Sequence, residues 1–359
     1  MKRVLVVLSV MAVFAFSMGS VQAGAPGVRD LSPGSEFVCY FLVSKARVDT
    51  GAGPSTLYRI SEVKGQGAGT ATSPWSNLWY NFYTIDSVRV WDCGKRITRW
   101  ATHLQDIGSL IGDMDENARA SLAVTFEGAS YYAGYIVVSE VQYPTVDNII
   151  ADVYQLNLSE GIAAASSIPV RQYAAGLPSQ ITAVRTDNSA AGAPSTRSYE
   201  RWTGDALACA ANRIWGGTTD YGATWFTLYP RYLINDTSGK TYWIIWRSSI
   251  KNASTGNLLE VVDMHVYAIN GAEDYRSIGV WLRELSILDA GETIPSALKV
   301  SYPYIGLINL APPYTDMELL GWNWEFANNG ATVGTINWAG MSLMAVDAGT
   351  TGSGYHPSH

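Results

Sequence analysis

From residue 36 onward the sequence is punctuated: runs of seven to fourteen residues rich in Val, Ile, Tyr, Trp and Thr alternate with clusters of Gly, Pro, Asn and Asp. β-Branched and aromatic side chains suit a pleated surface, and the small turn-formers bend the backbone between runs, so the pattern predicts an all-β chain with few short helices. In the first half the runs are 36–44, 56–63, 78–91, 97–104, 120–127 and 132–141. In the second they are 225–234, 242–248, 258–269, 280–288, 304–310, 318–326 and 332–338. One short helix is predicted over 113–123, capped by Asp113. The stretch 148–158 reads either as a helical face (Ile149, Ile150, Val153, Tyr154) or as an alternating strand. With 47% apolar and 15% charged residues, the chain has material for a large core and too little charge for disorder.

The longest run of small and turn-forming residues is NSAAGAPST at 188–196, and a domain boundary is expected near it. A weak internal repeat supports two units. Residues 82–86 match 266–270 at an offset of 184, where Arg99 also meets Arg283 and Leu104 meets Leu288; after a one-residue slip Asp106, Gly108 and Ile111 meet Asp289, Gly291 and Ile294. Each copy reads as a long aromatic strand, a turn, a second strand and an Asp-x-Gly turn. The expectation is two β-sandwich-like domains, 24–190 and 191–359, related by duplication.

Residues 1–23 read as a signal peptide: Lys2 and Arg3, an apolar run from Val4 to Phe16, then Val21-Gln22-Ala23 before Gly24. The run is shorter than the about 20 residues a membrane span needs, and no other stretch reaches that length. The expected destination is the periplasm, the cell surface or the extracellular space, with no transmembrane helix in the mature chain. A formal charge of −7 argues against nucleic acid, whose phosphates need a basic face. In an oxidising compartment the three cysteines predict a Cys39–Cys93 disulfide, since both flank strand-like runs in one half, with Cys209 left over as a small buried residue or an intermolecular bridge.

Catalytic patterns are scarce. The sequence has no G-x-S-x-G, H-E-x-x-H, Walker loop or G-x-G-x-x-G. His103 and His265 sit on strand-like segments, and the carboxylate pairs Glu260/Asp263 and Glu318/Glu325 are oddly spaced, which places partners on opposite faces of a regular strand. Asp113, Asp115 and Glu116 form the densest cluster of oxygen ligands; they lack EF-hand spacing and read either as a capped helix start or as a Ca²⁺ loop, the one cofactor in view. The aromatic surplus, 13 Trp and 21 Tyr, is the most informative feature. Trp322 and Trp324 share a strand face; with Trp243 and Trp246 they suit a core layer, a protein interface or a platform for sugar rings.

The strand VCYFLVS at 38–44, Cys93 closing a later strand, and GYIVVSEVQYPTVDN at 134–148 together resemble a loosely defined group of secreted, β-rich proteins of Gram-negative bacteria. The resemblance covers about residues 36–170, with a fainter echo over 225–294. It implies a fold and an exported location, and carries no catalytic residues. The expected function is a non-catalytic structural, assembly or surface-interaction role with self-association or an envelope partner. Carbohydrate binding or cleavage, with a polysaccharide partner, is the alternative, and an outer-membrane barrel a third.

Overall fold

The computed structural model describes residues 33–34, 36–63, 75–86, 88–98, 100–140, 148–157, 162–168, 170–171, 225–232, 239–247, 258–267, 273–283, 285–294, 304–310, 319–327 and 338–349. The expected leader at 1–23, Cys209 and the expected boundary loop at 188–196 lie outside the described residues.

The chain is all-β. Residues 36–171 supply two sheets. Sheet I runs β10 (Val170–Arg171), β1 (Glu36–Ser44), β7 (Ala129–Glu140), β3 (Trp75–Tyr83), β4 (Arg89–Thr98), with β6 (Ala123–Phe126) paired to the start of β7. Sheet II runs β5 (Thr102–Asp106), β2 (Ser55–Glu62), β8 (Ile149–Asn157), β9 (Ile162–Ile168). Residues 225–349 supply two more. Sheet III runs β15 (Glu273–Leu282), β14 (Leu258–Tyr267), β17 (Tyr304–Leu310), β11 (Trp225–Tyr229), β20 (Ala345–Gly349), with β12 (Arg231–Tyr232) also on β17. Sheet IV runs β16 (Leu285–Asp289), β13 (Gly239–Arg247), β18 (Leu319–Ala327), β19 (Trp338–Leu343).

The two halves use one strand order. β12 continues the line of β11 along β17, so β1 corresponds to β11 with β12, β2 to β13, β3 to β14, β4 to β15, β5 to β16, β7 to β17, β8 to β18, β9 to β19 and β10 to β20. Among the described strands only β6 has no counterpart. Helix α1 (Lys45–Thr50) follows β1 directly. The Asp-x-Gly turns fall at equivalent places. Asp106 ends β5 and caps helix α2 (Ile107–Gly112), its side chain accepting the Gly108 N–H at 2.9 Å; Asp289 ends β16 and caps α4 (Ala290–Thr293), accepting the Gly291 N–H at 2.7 Å. Space is tight at both glycines: a Cβ at Gly108 would lie 2.8 Å from Arg47 Cγ and 3.2 Å from the Asp106 carboxylate, and one at Gly291 would lie 3.0 Å from that of Asp289.

Every residue of β1 is buried, yet β1 pairs with β10 only at Glu36 and Phe37. The rest of that edge is closed by side chains from sheet II. Thr56 Oγ1 accepts the Leu42 N–H at 2.8 Å, Gln155 Nε2 donates to Leu42 O at 3.0 Å, and Tyr58 Oη lies 3.0 and 2.7 Å from the carbonyls of Cys39 and Tyr40. Orphaned backbone groups in a core are costly, and this edge escapes that cost without a neighbouring strand.

Sheet IV packs against sheet I, and the two halves thereby share one core. Trp322 meets Tyr40 with ring centroids 5.4 Å apart, Trp246 meets Tyr135 at 5.9 Å, and the Tyr40 hydroxyl donates to Met341 Sδ at 3.3 Å. The β6–β7 hairpin reaches across: Phe126 packs on Tyr242 at 4.9 Å and on Trp324 at 6.3 Å, and Lys240 Nζ lies 2.6 Å from Glu127 Oε2. Glu127 sits at φ +51° and Gly128 at φ +73°, the left-handed pair of a tight hairpin turn. Strands β9 and β19, equivalent in the two halves, lie alongside each other.

Several expected elements change. The run 78–91 is two strands joined by a turn in which Thr84 Oγ1 accepts the N–H groups of Asp86 (3.2 Å) and Val88 (3.1 Å). The run 97–104 is likewise broken, at Trp100, and 280–288 is divided between β15 and β16. The stretch 148–158 is strand β8. The expected helix is α3 (Glu116–Ser121), capped by Asp115 rather than Asp113. The Cys39–Cys93 disulfide is not formed: both thiols are free. Cys39 on β1 and Cys93 on β4 are separated by β7 and β3, three strand spacings or about 14 Å, whereas a disulfide needs Cα atoms within about 7 Å.

Candidate functional site

The residues singled out for their chemistry are mostly structural. Trp243, Trp246 and Trp322 are at most 1% exposed, and Trp324 is half-buried between Phe126 and Tyr242. Trp246, Trp322 and Trp324 belong to the joint between the halves, so they offer no external platform for a partner or a sugar. Asp115 spends its carboxylate on the Ala118 N–H at 2.9 Å, and Asp113 is the residue that ends α2. With Glu116 they form no convergent ligand set; no group of three His, Cys, Asp or Glu suited to a metal occurs among the described residues. His103 Nε2 lies 3.1 Å from Gln105 Oε1. Asp263 and His265 stand on β14, opposite Asn309 and Leu307 of β17. Burial pushes the Cys39 thiol well up, and it pushes Cys93 up to about 12, so neither is a ready nucleophile.

A different place gathers exposed recognition groups: the outer face of sheet II and the turn that leads into it. Along β2 Thr56, Tyr58, Ile60 and Glu62 are buried on the inner face; on the outer face Ser55 and Leu57 are buried as well, Arg59 is exposed and Ser61 is half-buried. On β5 Thr102 and Leu104 are exposed, Leu104 at 58%. Register sets Leu104 and Asp152 on either side of Arg59, and Thr102 opposite Ser61. Arg59 donates to Asp152 Oδ2 from Nε at 2.9 Å and from Nη2 at 2.6 Å, and its guanidinium lies 5.7 Å from the Tyr154 ring centroid. The hydrogen bond to Asp152 fixes the guanidinium in its charged form, above an already high value. Arg59 Nη1 and Asp152 Oδ1 have no hydrogen bond among the described residues. The hydroxyls of Ser61 and Thr102 are 2.8 Å apart.

Trp100 stands at the rim, two residues before Thr102. It is 70% exposed and has φ +57°, in a turn closed by the Ala101 N–H on Thr98 O at 3.1 Å. A left-handed backbone costs a side chain larger than glycine about 1–2 kcal/mol, so an exposed Trp here works against the fold twice over. The conformation is enforced from below. Glu62, 2% exposed, accepts the Trp100 N–H on Oε2 at 2.6 Å and donates its own N–H to Ala101 O at 3.1 Å. A buried carboxylate is an expensive anchor for one backbone N–H. Strain held in place by such an anchor, beneath an exposed aromatic, makes Trp100 the candidate position of this surface.

No protein-family model and no curated protein matches the chain. Among solved structures, the lectin of Pleurotus ostreatus in its apo form is similar over 91% of this chain and 85% of its own, at 11% identity and a TM-score of 0.17. A Bacteroides fragilis chain assigned as a β-galactosidase is similar over 92% of this chain at 8% identity and a TM-score of 0.14; this chain spans 35% of its length.

Proposed function

We propose that the chain is an exported, non-catalytic protein of the bacterial envelope or extracellular space, acting as a structural or surface-interaction module whose contact surface is the Trp100 turn and the outer face of sheet II. The single observation that carries this reading is Trp100: a large aromatic, exposed, in a backbone conformation that glycine would occupy at lower cost. The leader read in residues 1–23 and the resemblance to secreted β-rich proteins supply the location.

Cell fractionation tests it. The wild-type protein should begin at Gly24 by intact mass and be retained with envelope or surface material. Trp100→Gly should be exported and folded but released. Retention of Met1, or identical partitioning of the two proteins, overturns the reading.

A further inference from the structure

The equivalence of sheets II and IV gives the outer face of sheet II a direct comparison. Register anchored on the capping aspartates, Asp106 opposite Leu57 and Asp289 opposite Tyr242, pairs Arg59 with Ile244 and Ser61 with Trp246. The next strand follows: Asp152 takes the place of Trp322, and Tyr154 that of Trp324. In sheet IV this face is covered by protein, and the residues there are large and apolar. In sheet II the face is buried at Leu57, the counterpart of Tyr242, and beyond it carries an exposed Arg59 paired with Asp152, a half-buried Ser61 and a half-buried Tyr154. A face built to be covered by a protein surface would repeat the aromatic solution that the chain itself uses in β13 and β18.

We infer that the outer face of sheet II, with Trp100 at its rim, binds a neutral, hydroxyl-rich polymer, a glycan. Its groups match that chemistry. Charge on the face is balanced within the Arg59–Asp152 pair, leaving no net field for an anion or a cation. One guanidinium nitrogen and one carboxylate oxygen are left to donate to and accept from vicinal hydroxyls, and Ser61 and Thr102 add two more hydroxyls in line. Trp100 and Leu104 are single apolar groups rather than a continuous patch, which suits the C–H face of a sugar ring and falls short of the desolvated centre that a stable protein interface needs. Among the described residues the exposed part of the face, from Arg59 and Leu104 to Thr102, is a sheet surface rather than a cavity, so it fits a run of a polymer better than a free monosaccharide.

This inference rests on the contact surface proposed above, and its test separates the two. Native affinity electrophoresis of the mature full chain is run in gels holding dextran, mixed-linkage β-glucan or galactomannan, with alginate as an anionic control. At least one neutral polymer should retard the wild type. The apparent affinity should fall about tenfold in Trp100→Gly, the loss of one stacking contact, and also fall in Arg59→Gln, with melting temperatures recorded for both. No retardation by the three neutral polymers, retardation by alginate alone, or equal retardation of wild type and Trp100→Gly overturns the inference. If the polymers fail while Trp100→Gly is still released from envelope material, the contact surface stands and only the glycan falls; if release fails as well, both fall.

Discussion

Single residues in this chain are used in ways that separate fold from function. Trp100 holds a glycine's conformation, and Trp100→Gly is expected to raise stability by about 1 kcal/mol, read as an increased urea midpoint, while weakening binding. A Trp placed for packing would show the opposite sign. Asn81 is the complementary case: it is fully buried in sheet I opposite Val137, and neither amide atom has a hydrogen-bond partner among the described residues. Replacement by Leu, of similar size, is expected to stabilise the protein by about 1–2 kcal/mol. Thr56→Val should do the reverse, costing about 1–3 kcal/mol, since it strips the acceptor from the buried Leu42 N–H. Urea unfolding of the two variants side by side checks both signs.

At the scale of elements, what was legible in the sequence follows from which signals local chemistry leaves. β1 and β17 occur over the predicted residues because each is dominated by apolar residues with β-branched or aromatic members, the single Gly306 and Asn309 of β17 being too few to break it. The turns at Thr84 and Trp100 were hidden for a shared reason: neither contains Gly or Pro, the first being closed by a threonine hydroxyl and the second by a buried glutamate from another strand. The outer face of sheet II was equally hidden, since Arg59 and Asp152 are 93 residues apart and only register joins them. The indole pairs were visible as an aromatic face; what pattern alone could not supply was which surface covers it.

The β6–β7 hairpin is the element with a pH signature. Burial pushes the Glu127 carboxyl upward, but the hydrogen bonds from Lys240 and Tyr242 and the Lys240 charge outweigh it and hold the group below its ordinary value. A carboxyl lowered in the folded state stabilises it fully above the unfolded value, near 4.5, and that contribution drains away as pH falls through the lower folded value. The joint between the halves should therefore loosen below about pH 4.5, with Glu127→Gln removing this part of the acid dependence. Tryptophan fluorescence during acid titration reports it, through Trp324 beside Phe126.

Over the whole molecule, one core spanning both halves predicts one cooperative transition rather than two. Trp322→Ala, at the centre of the joint, should lower stability by about 3–5 kcal/mol and lower the melting temperature without changing the number of transitions seen by calorimetry. Two separated melts would show that the halves are energetically independent. The thiols give a second global probe. Cys39 should resist alkylation until the protein unfolds, Cys93 should react slowly, and peptide mapping under non-reducing conditions should find no bond between them.

The contact between halves is head-to-tail: the face that the second half presents to the first is the face that the first half leaves open. That gives the chain a direction in time. Sheet I, with Tyr40 and Tyr135, precedes the indoles of sheet IV along the chain, so the receptor for that aromatic face lies ahead of it in the order of synthesis and of export. Transposing the halves would reverse the sequence of events and send the aromatic face into solution first.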